Sequence, residues 1–177
     1  MKEFRQAVIT PALVVGLAAL FLSIMNHVPR YLPGSVPAAT EYSSVEEASL
    51  GLGFNIAIPV YFPNYLAWPP ETIKGQKKPV PKVEIVFLSA DRRTEILAIY
   101  QWLSDKTDSL SPLPWIETVS TQMPVRLSHS NGELIIGRMA DGSMANGVHW
   151  IKNGRHFFVI TTQSVQELLA IARSMSR

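Results

Sequence analysis

The chain has 177 residues, of which 47% are hydrophobic and 17% are charged, and it contains no cysteine. This composition excludes an intrinsically disordered protein, and the lack of cysteine excludes a disulfide scaffold, an iron–sulfur protein and a cysteine-type zinc site. Residues 41–177 carry 13 Lys/Arg and 13 Asp/Glu, so the net charge of +2 arises in the first 40 residues. Since non-specific nucleic-acid binding needs a net basic surface, we expect no nucleic-acid partner.

The N-terminal segment predicts a membrane span. Residues 7–25 contain no charged residue, and as a helix they would extend about 28 Å, close to the ~30 Å thickness of the hydrocarbon core. Lys2 and Arg5 precede this run, which favours a cytoplasmic N-terminus and an extracytoplasmic C-terminal domain. We therefore expect residues 1–28 to form an uncleaved signal anchor of a single-pass cell-membrane protein.

Two other interpretations of this run stay open. One is a cleaved signal peptide, for which residues 36–38 (Val-Pro-Ala) offer a cleavage site, although the run is longer than the usual apolar region. The other is a helix buried in a protein core. Residues 29–42 are rich in proline and small side chains and predict a semi-stiff linker.

A helix is predicted next, at the start of a domain over residues 43–177. Both Ser43 with Glu46 and Ser44 with Glu47 fit a capping box, and Gly51 and Gly53 would end the helix. Residues 54–61 alternate in polarity as a strand does, with Pro59 indicating an edge or a bulge.

Most of the remaining elements are predicted to be strands. The candidates are residues 82–89, 94–103, 125–129, 133–138, 148–152 and 155–161. The second of these is long enough for a helix, but its Ile, Tyr and Trp content favours a strand. Residues 104–114 are polar and predict a loop, while Asn131-Gly132 and Asn153-Gly154 predict type I′ hairpin turns.

A terminal helix follows a further capping box at Ser164 and Glu167. Together, these elements predict an α+β fold: a curved antiparallel sheet of about six strands with helices at each end of the domain, behind one N-terminal transmembrane helix. Both faces of the last hairpin carry apolar residues, which indicates that both faces of the sheet are covered.

Four motifs in chain order resemble a bacterial extracytoplasmic domain family of unknown function (DUF4367-like). They are Ser-Val-Glu-Glu-Ala at 44–48, the run from Gly-Phe-Asn to Tyr-Phe-Pro at 53–63, the tryptophan strand and hairpin at 147–160, and the capped helix at 164–174. This family is typically tethered behind one membrane helix. It is similar in turn to the sensor domains of anti-sigma regulators and to lipoprotein-carrier half-barrels. Only about six residues precede the predicted span, too few for a domain that could hold a sigma factor. We therefore do not expect sigma-factor binding.

His149 and His156 are the first candidate site. With a two-residue turn at Asn153-Gly154, His149 pairs with Phe158 and His156 with Ile151, which places both imidazoles on one sheet face roughly 7 Å apart. Such a pair could share a metal ion or respond to pH. The alternative is two independent, hydrogen-bonded histidines of the sheet. No third metal ligand is evident from the spacing, so no metal or cofactor is predicted.

Other candidates are contact residues. Lys74, Lys77, Lys78 and Lys82 lie close together in sequence and predict contact with anionic lipid or an acidic partner, unless they form an ordinary solvated loop. Trp68, beside two prolines, indicates a partner-docking surface, as do Trp102 and Trp115, with core packing as the alternative.

No catalytic motif of the familiar hydrolase, metalloprotease or nucleotide-binding kinds occurs in the sequence, so we expect no enzyme. The leading hypothesis is a non-enzymatic interaction module, such as a sensor, an assembly factor or an accessory subunit of a membrane protein complex. Its predicted partners are the lipid bilayer and a membrane or extracytoplasmic protein. A lipid-binding carrier and a hydrolase with a dispersed site at Asp141, His149 and His156 are the alternatives.

Overall fold

The structure, a computed structural model, describes residues 39–103 and 113–176. The predicted span at residues 7–25, most of the predicted linker and most of the predicted loop at 104–114 lie outside these ranges. No helix within the two described ranges is long and apolar enough to cross a membrane.

The described residues form eight strands and two helices. The strands are β1 (Thr40–Glu41), β2 (Thr72–Gln76), β3 (Lys82–Leu88), β4 (Glu95–Leu103), β5 (Thr118–Arg126), β6 (Asn131–Arg138), β7 (Met144–Lys152) and β8 (Arg155–Thr161). The helices are α1 (Val45–Leu52) and α2 (Val165–Met175).

All eight described strands belong to one antiparallel sheet with the order β1-β2-β3-β4-β8-β7-β6-β5. The predicted α+β fold of about six strands behind a transmembrane helix is therefore wrong: the described chain is mostly sheet, with only two short helices and no membrane-spanning helix. Two of the unpredicted strands, β1 and β2, are short and rich in polar residues and glycine. They join the sheet through backbone pairing, which side-chain alternation does not reveal.

The strand predicted at residues 54–61 is also wrong, since this segment pairs with no strand. The backbone N–H and carbonyl of Ala57 form hydrogen bonds with a side chain instead. The Ala57 N–H donates to Oε1 of Gln101 at 2.9 Å, and Nε2 of Gln101 donates to the Ala57 carbonyl at 2.6 Å. Phe54 and Ile56 are buried, so the alternation in the sequence reflects packing onto the sheet rather than membership of it.

The sheet has two differently covered faces. One face, here called the helix face, packs against both helices, and its core includes Leu52, Leu168 and the stacked pair of Trp150 and Phe157. The other, here called the histidine face, carries a smaller cluster centred on Phe158. Residues 113–116 cover part of this cluster, which explains why both faces of the last hairpin are apolar.

Both helices begin at the predicted serines. Ser44 caps α1 and Ser164 caps α2, each accepting a hydrogen bond from the backbone N–H three residues on. In α1 the carboxylate of Glu47 accepts from the N–H and the hydroxyl of Ser43, at 2.9 and 2.6 Å. These bonds hold the pKa of Glu47 below its usual value. Gly53 ends α1 in the left-handed conformation at φ 77°.

One of the two predicted turns forms. Asn153 and Gly154 have φ values of 52° and 71° and join β7 to β8, as the sequence predicts. The prediction for Asn131-Gly132 is wrong, because both residues lie in β6 and the chain turns earlier, at residues 127–130. Gly132 is needed for close approach: a Cβ there would lie 2.7 Å from the His149 carbonyl oxygen.

Candidate functional site

The two candidate histidines are in direct contact on the histidine face. The register pairs His149 with Phe158 and Ile151 with His156, which confirms the sequence-based pairing. Nε2 of His149 and Nδ1 of His156 are 3.2 Å apart, a hydrogen-bond distance. The histidines are therefore one bonded pair rather than two independent residues, and at least one ring must be neutral for a nitrogen to accept.

Trp102 of β4 completes an aromatic cluster with this pair. Its ring stacks on His149 at a centroid distance of 5.7 Å and on His156 at 4.9 Å. The neighbouring position of Trp102 across β4 and β8 is His156, so the contact follows from strand register. His156 is only 1% exposed, whereas His149 and Trp102 are half-buried. Together, these three side chains define the histidine cluster.

The environment of His149 disfavours protonation of its ring. Burial, and to a lesser extent the neighbouring His156, lower the pKa of His149 from its ordinary 6.5 to about 4, although Glu133, opposite on β6, acts the other way. Farther along the same face, the Tyr100 hydroxyl donates to Glu84 at 2.7 Å, and burial together with this carboxylate raises the pKa of Tyr100.

The cluster predicts a loss of stability in acid. His149 stays neutral in the folded protein down to a pKa of about 4, whereas the unfolded chain takes up the proton near its ordinary 6.5. The stabilisation is thus fully present above pH 6.5 and is lost as the pH falls towards 4. Because the ring is partly exposed, we expect a loss of about 1–2 kcal/mol rather than the full value of the shift.

Urea unfolding at neutral pH and near pH 4.5, followed by tryptophan fluorescence, would measure this loss. His149→Gln, which cannot titrate, should flatten the pH dependence. His129→Gln, at an exposed histidine, should leave it as in the wild type. Equal pH dependence in the wild type and His149→Gln would show that the pair does not control acid stability.

The geometry does not extend the pair into a metal centre or a catalytic triad. Within the described residues, no group of three or more His, Asp or Glu side chains is placed to hold a metal ion. Asp141, the third residue of the hydrolase hypothesis, lies in the turn before β7, and its carboxylate accepts from the N–H and hydroxyl of Ser143 at 2.9 and 2.6 Å. These bonds lower the pKa of Asp141, which makes it a poor proton acceptor.

The four candidate lysines lie on the β2–β3 hairpin and are all exposed. Lys82 pairs with Trp102 across β3 and β4, and Lys74 pairs with Glu84, so these two share the histidine face. Lys77 and Lys78 occupy the turn between the strands. The structure therefore brings Lys82 beside the histidine cluster.

Trp68 lies on the other side of the sheet, away from the histidine cluster. It packs edge-on against Phe62 at 5.5 Å and over Phe87, a buried residue of the helix face, at 6.3 Å. Despite these contacts, Trp68 is 56% exposed.

Trp68 ends a run of exposed apolar side chains, here called the apolar segment (residues 57–68). Ile58, Val60 and Tyr61 are 39%, 81% and 43% exposed. The segment crosses β3 and β4 on the helix face, with α1 against β2 on one side and α2 against β7 and β8 on the other. It therefore presents large apolar side chains between the two helices.

The apolar segment is fixed at both ends and in the middle. Gln101 bonds to Ala57 at its start, and the Ala67 N–H donates to the Leu88 carbonyl at 2.9 Å at its end. Between them, the hydroxyls of Tyr61 and Tyr65 each lie 3.3 Å from one Glu167 carboxylate oxygen on α2. Burial and this carboxylate raise the pKa of Tyr65 to about 12.

Sequence reasoning identified Trp68 but missed Ile58, Val60 and Tyr61 as surface residues, because their alternation was interpreted as a strand. The signal that could have found them is Pro59 together with Pro63, which makes strand pairing of this run unfavourable. Trp102 was considered only as a docking or packing residue, and its stacking on the histidines depends on the pairing of β4 with β8.

Comparison with protein-family models, curated proteins and solved structures finds no significant match to this chain. The resemblance to an extracytoplasmic domain family, which rests on the four sequence motifs, stays a prediction.

Proposed function

We propose that this chain is a non-enzymatic interaction module, held at the outer side of a cell membrane by its N-terminal run, that binds a protein partner through the apolar segment. The partner would belong to the same membrane, with this chain acting as a sensor, an assembly factor or an accessory subunit. The exposed side chains of residues 57–68 are the observation that supports this function most strongly.

Single exposed apolar residues are common on protein surfaces, but several on one short segment are not. Val60 is the most exposed of the four, and Trp68 supplies an aromatic side chain of the kind that dominates binding energy at interfaces. Because the segment is anchored by Gln101 and Glu167, its surface is preorganised, which lowers the entropic cost of association.

Membrane attachment is supported by the sequence. Residues 7–25 are uncharged and long enough to span the hydrocarbon core, and Lys2 and Arg5 favour an outward-facing domain. A carrier function has less support, since a lipid-sized space between the sheet and the helices would have to form where Trp150, Leu168 and Ile171 are at most 1% exposed.

Site-specific photo-crosslinking in cells tests the proposal. A photoreactive residue at Val60 should give a light-dependent adduct of one defined mass, since this side chain would face the partner. The matched control is Ser120, exposed on β5 and outside the apolar segment, which should give no such adduct. Equal labelling at both positions, or none at Val60 in a folded and membrane-associated chain, would contradict the proposal.

A further inference from the structure

Three turns of the sheet, and the point where the described chain begins, lie at the same end. β2, β4, β5 and β7 all run towards this end, which the turns at residues 77–81, 127–130 and 153–154 form. β1 runs away from it, with Thr40 opposite Gly75 and Glu41 opposite Lys74. The chain that precedes Thr40 therefore joins the sheet beside the Lys77–Lys78 turn. We call this the linker end.

The three described turns of the linker end are strongly basic. Together with their flanking strand residues (76–82, 126–131 and 152–155), they contain six Lys/Arg and no Asp/Glu. The two turns at the opposite end (88–95 and 138–144) contain three of each. The described turns at the two ends of the sheet thus differ in charge, although the domain as a whole has no net charge.

The basic side chains differ in how they are held. Four of the six are exposed in or beside the hairpin turns: Lys77, Lys78, Lys82 and Arg126. Lys152 donates to the Ser176 carbonyl at 3.0 Å, and the Arg155 guanidinium lies over the ring of Phe54 at 5.4 Å. The four exposed side chains are available to an anionic surface, while Lys152 and Arg155 add fixed positive charge behind them.

We propose that the linker end is a docking surface for an anionic lipid bilayer, and that it sets the orientation of the domain on its own membrane. This inference rests on the proposed membrane attachment. Residues 26–39 join the predicted span to β1 and reach at most about 50 Å when extended. The described chain begins at this end, so the basic turns lie beside the point at which the linker enters the domain.

The charge complementarity acts over a short range. Each Lys or Arg near an anionic surface is attracted within about a Debye length, roughly 8 Å at physiological salt. Only side chains in or beside the hairpin turns can come this close to the bilayer surface at the same time. The turns of the linker end carry an excess of basic side chains, whereas those of the opposite end carry equal numbers of basic and acidic ones.

Single-cysteine labelling of the full chain tests the proposal, because the sequence contains no cysteine to compete. His129→Cys places a fluorophore in a turn of the linker end, and Ala140→Cys places one in a turn of the opposite end; both positions are exposed. Each labelled chain is reconstituted in phosphatidylcholine bilayers with and without about 30% phosphatidylglycerol, together with a headgroup-attached quencher.

We expect quenching at His129→Cys to be at least about two-fold stronger than at Ala140→Cys in the anionic bilayer, and to fall to the neutral-bilayer level in about 1 M salt. Lys77→Gln combined with Lys78→Gln should reduce it in the same way. Equal quenching of the two labels in a chain that floats with the vesicles would overturn the proposal. So would quenching at His129→Cys that is equally strong in the neutral and the anionic bilayer, since the basic turns would then not recognise anionic headgroups. A chain that fails to float would instead refute the membrane attachment itself.

Discussion

Replacing Trp150 by alanine should destabilise the domain by about 3–5 kcal/mol, the largest effect that we expect from a single substitution. Trp150 is 1% exposed and stacks on Phe157 at a centroid distance of 4.9 Å and an interplanar angle of 6°. Alanine would remove the buried ring area and leave a cavity between β7 and the helices. Urea unfolding followed by circular dichroism would measure the loss.

Two companion variants separate packing from other causes. The indole Nε1 has no hydrogen-bond partner within the described residues, so Trp150→Phe, which removes this donor and keeps a ring, should cost far less than Trp150→Ala. Ile151→Ala, at the next position of the strand and 43% exposed, should change stability by about 0.5 kcal/mol or less. A similar cost for Trp150→Ala and Ile151→Ala would show that the helix-face core is not packed as described.

Replacing Gln101 by leucine should cost about 2–4 kcal/mol, even though leucine is similar in size and more apolar. Gln101 is fully buried, and its amide satisfies both the N–H and the carbonyl of Ala57. Leucine would leave these two backbone groups without partners, and each lost partner costs about 1–3 kcal/mol when the group stays buried. The start of the apolar segment should then detach from β4.

Hydrogen exchange measured by mass spectrometry would locate this effect. In Gln101→Leu, exchange should rise in residues 54–62. In β7 and β8, exchange should rise only as far as the lower global stability of the variant requires. Gln122→Leu, on the exposed strand β5, is the matched control and should change neither stability nor exchange appreciably. An unchanged exchange rate in residues 54–62 would show that the Gln101 amide does not hold the segment.

Some of this architecture could be read from the sequence because it is set by local chemistry. The serine caps at Ser44 and Ser164 and the Asn153-Gly154 turn depend on a few neighbouring residues. The turn fixes the register of β7 and β8, and the register places His149 and His156 on one face. For this reason the contact between the histidines was predictable, although their hydrogen bond was not.

The features that sequence reasoning missed depend on partners distant in the chain. The pairing of β4 with β8 brings Trp102 onto the histidines, and no local pattern specifies this pairing. Residues 54–61 alternate as a strand does, yet Gln101, a single side chain 44 positions away from Ala57, replaces the strand partner. The excess of basic residues in the turns of the linker end is likewise recognisable only once these turns are assigned to one end of the sheet.

The histidine cluster and the proposed binding surface lie on opposite faces of the sheet. Acidification that protonates His149 should therefore weaken the fold without directly altering the apolar segment. Partner binding measured above pH 6.5, where His149 is neutral, should be insensitive to His149→Gln.

The most direct test of the account is quantitative affinity purification of the full-length chain from membranes in mild detergent, comparing the wild type with Val60→Glu. Val60 is 81% exposed, so a charge there should leave the fold intact while disrupting an apolar interface. We predict that one protein copurifies in stoichiometric amount with the wild type and with the control Ser120→Glu, and is lost from Val60→Glu. Recovery of the same proteins in the same amounts with all three chains would contradict the account.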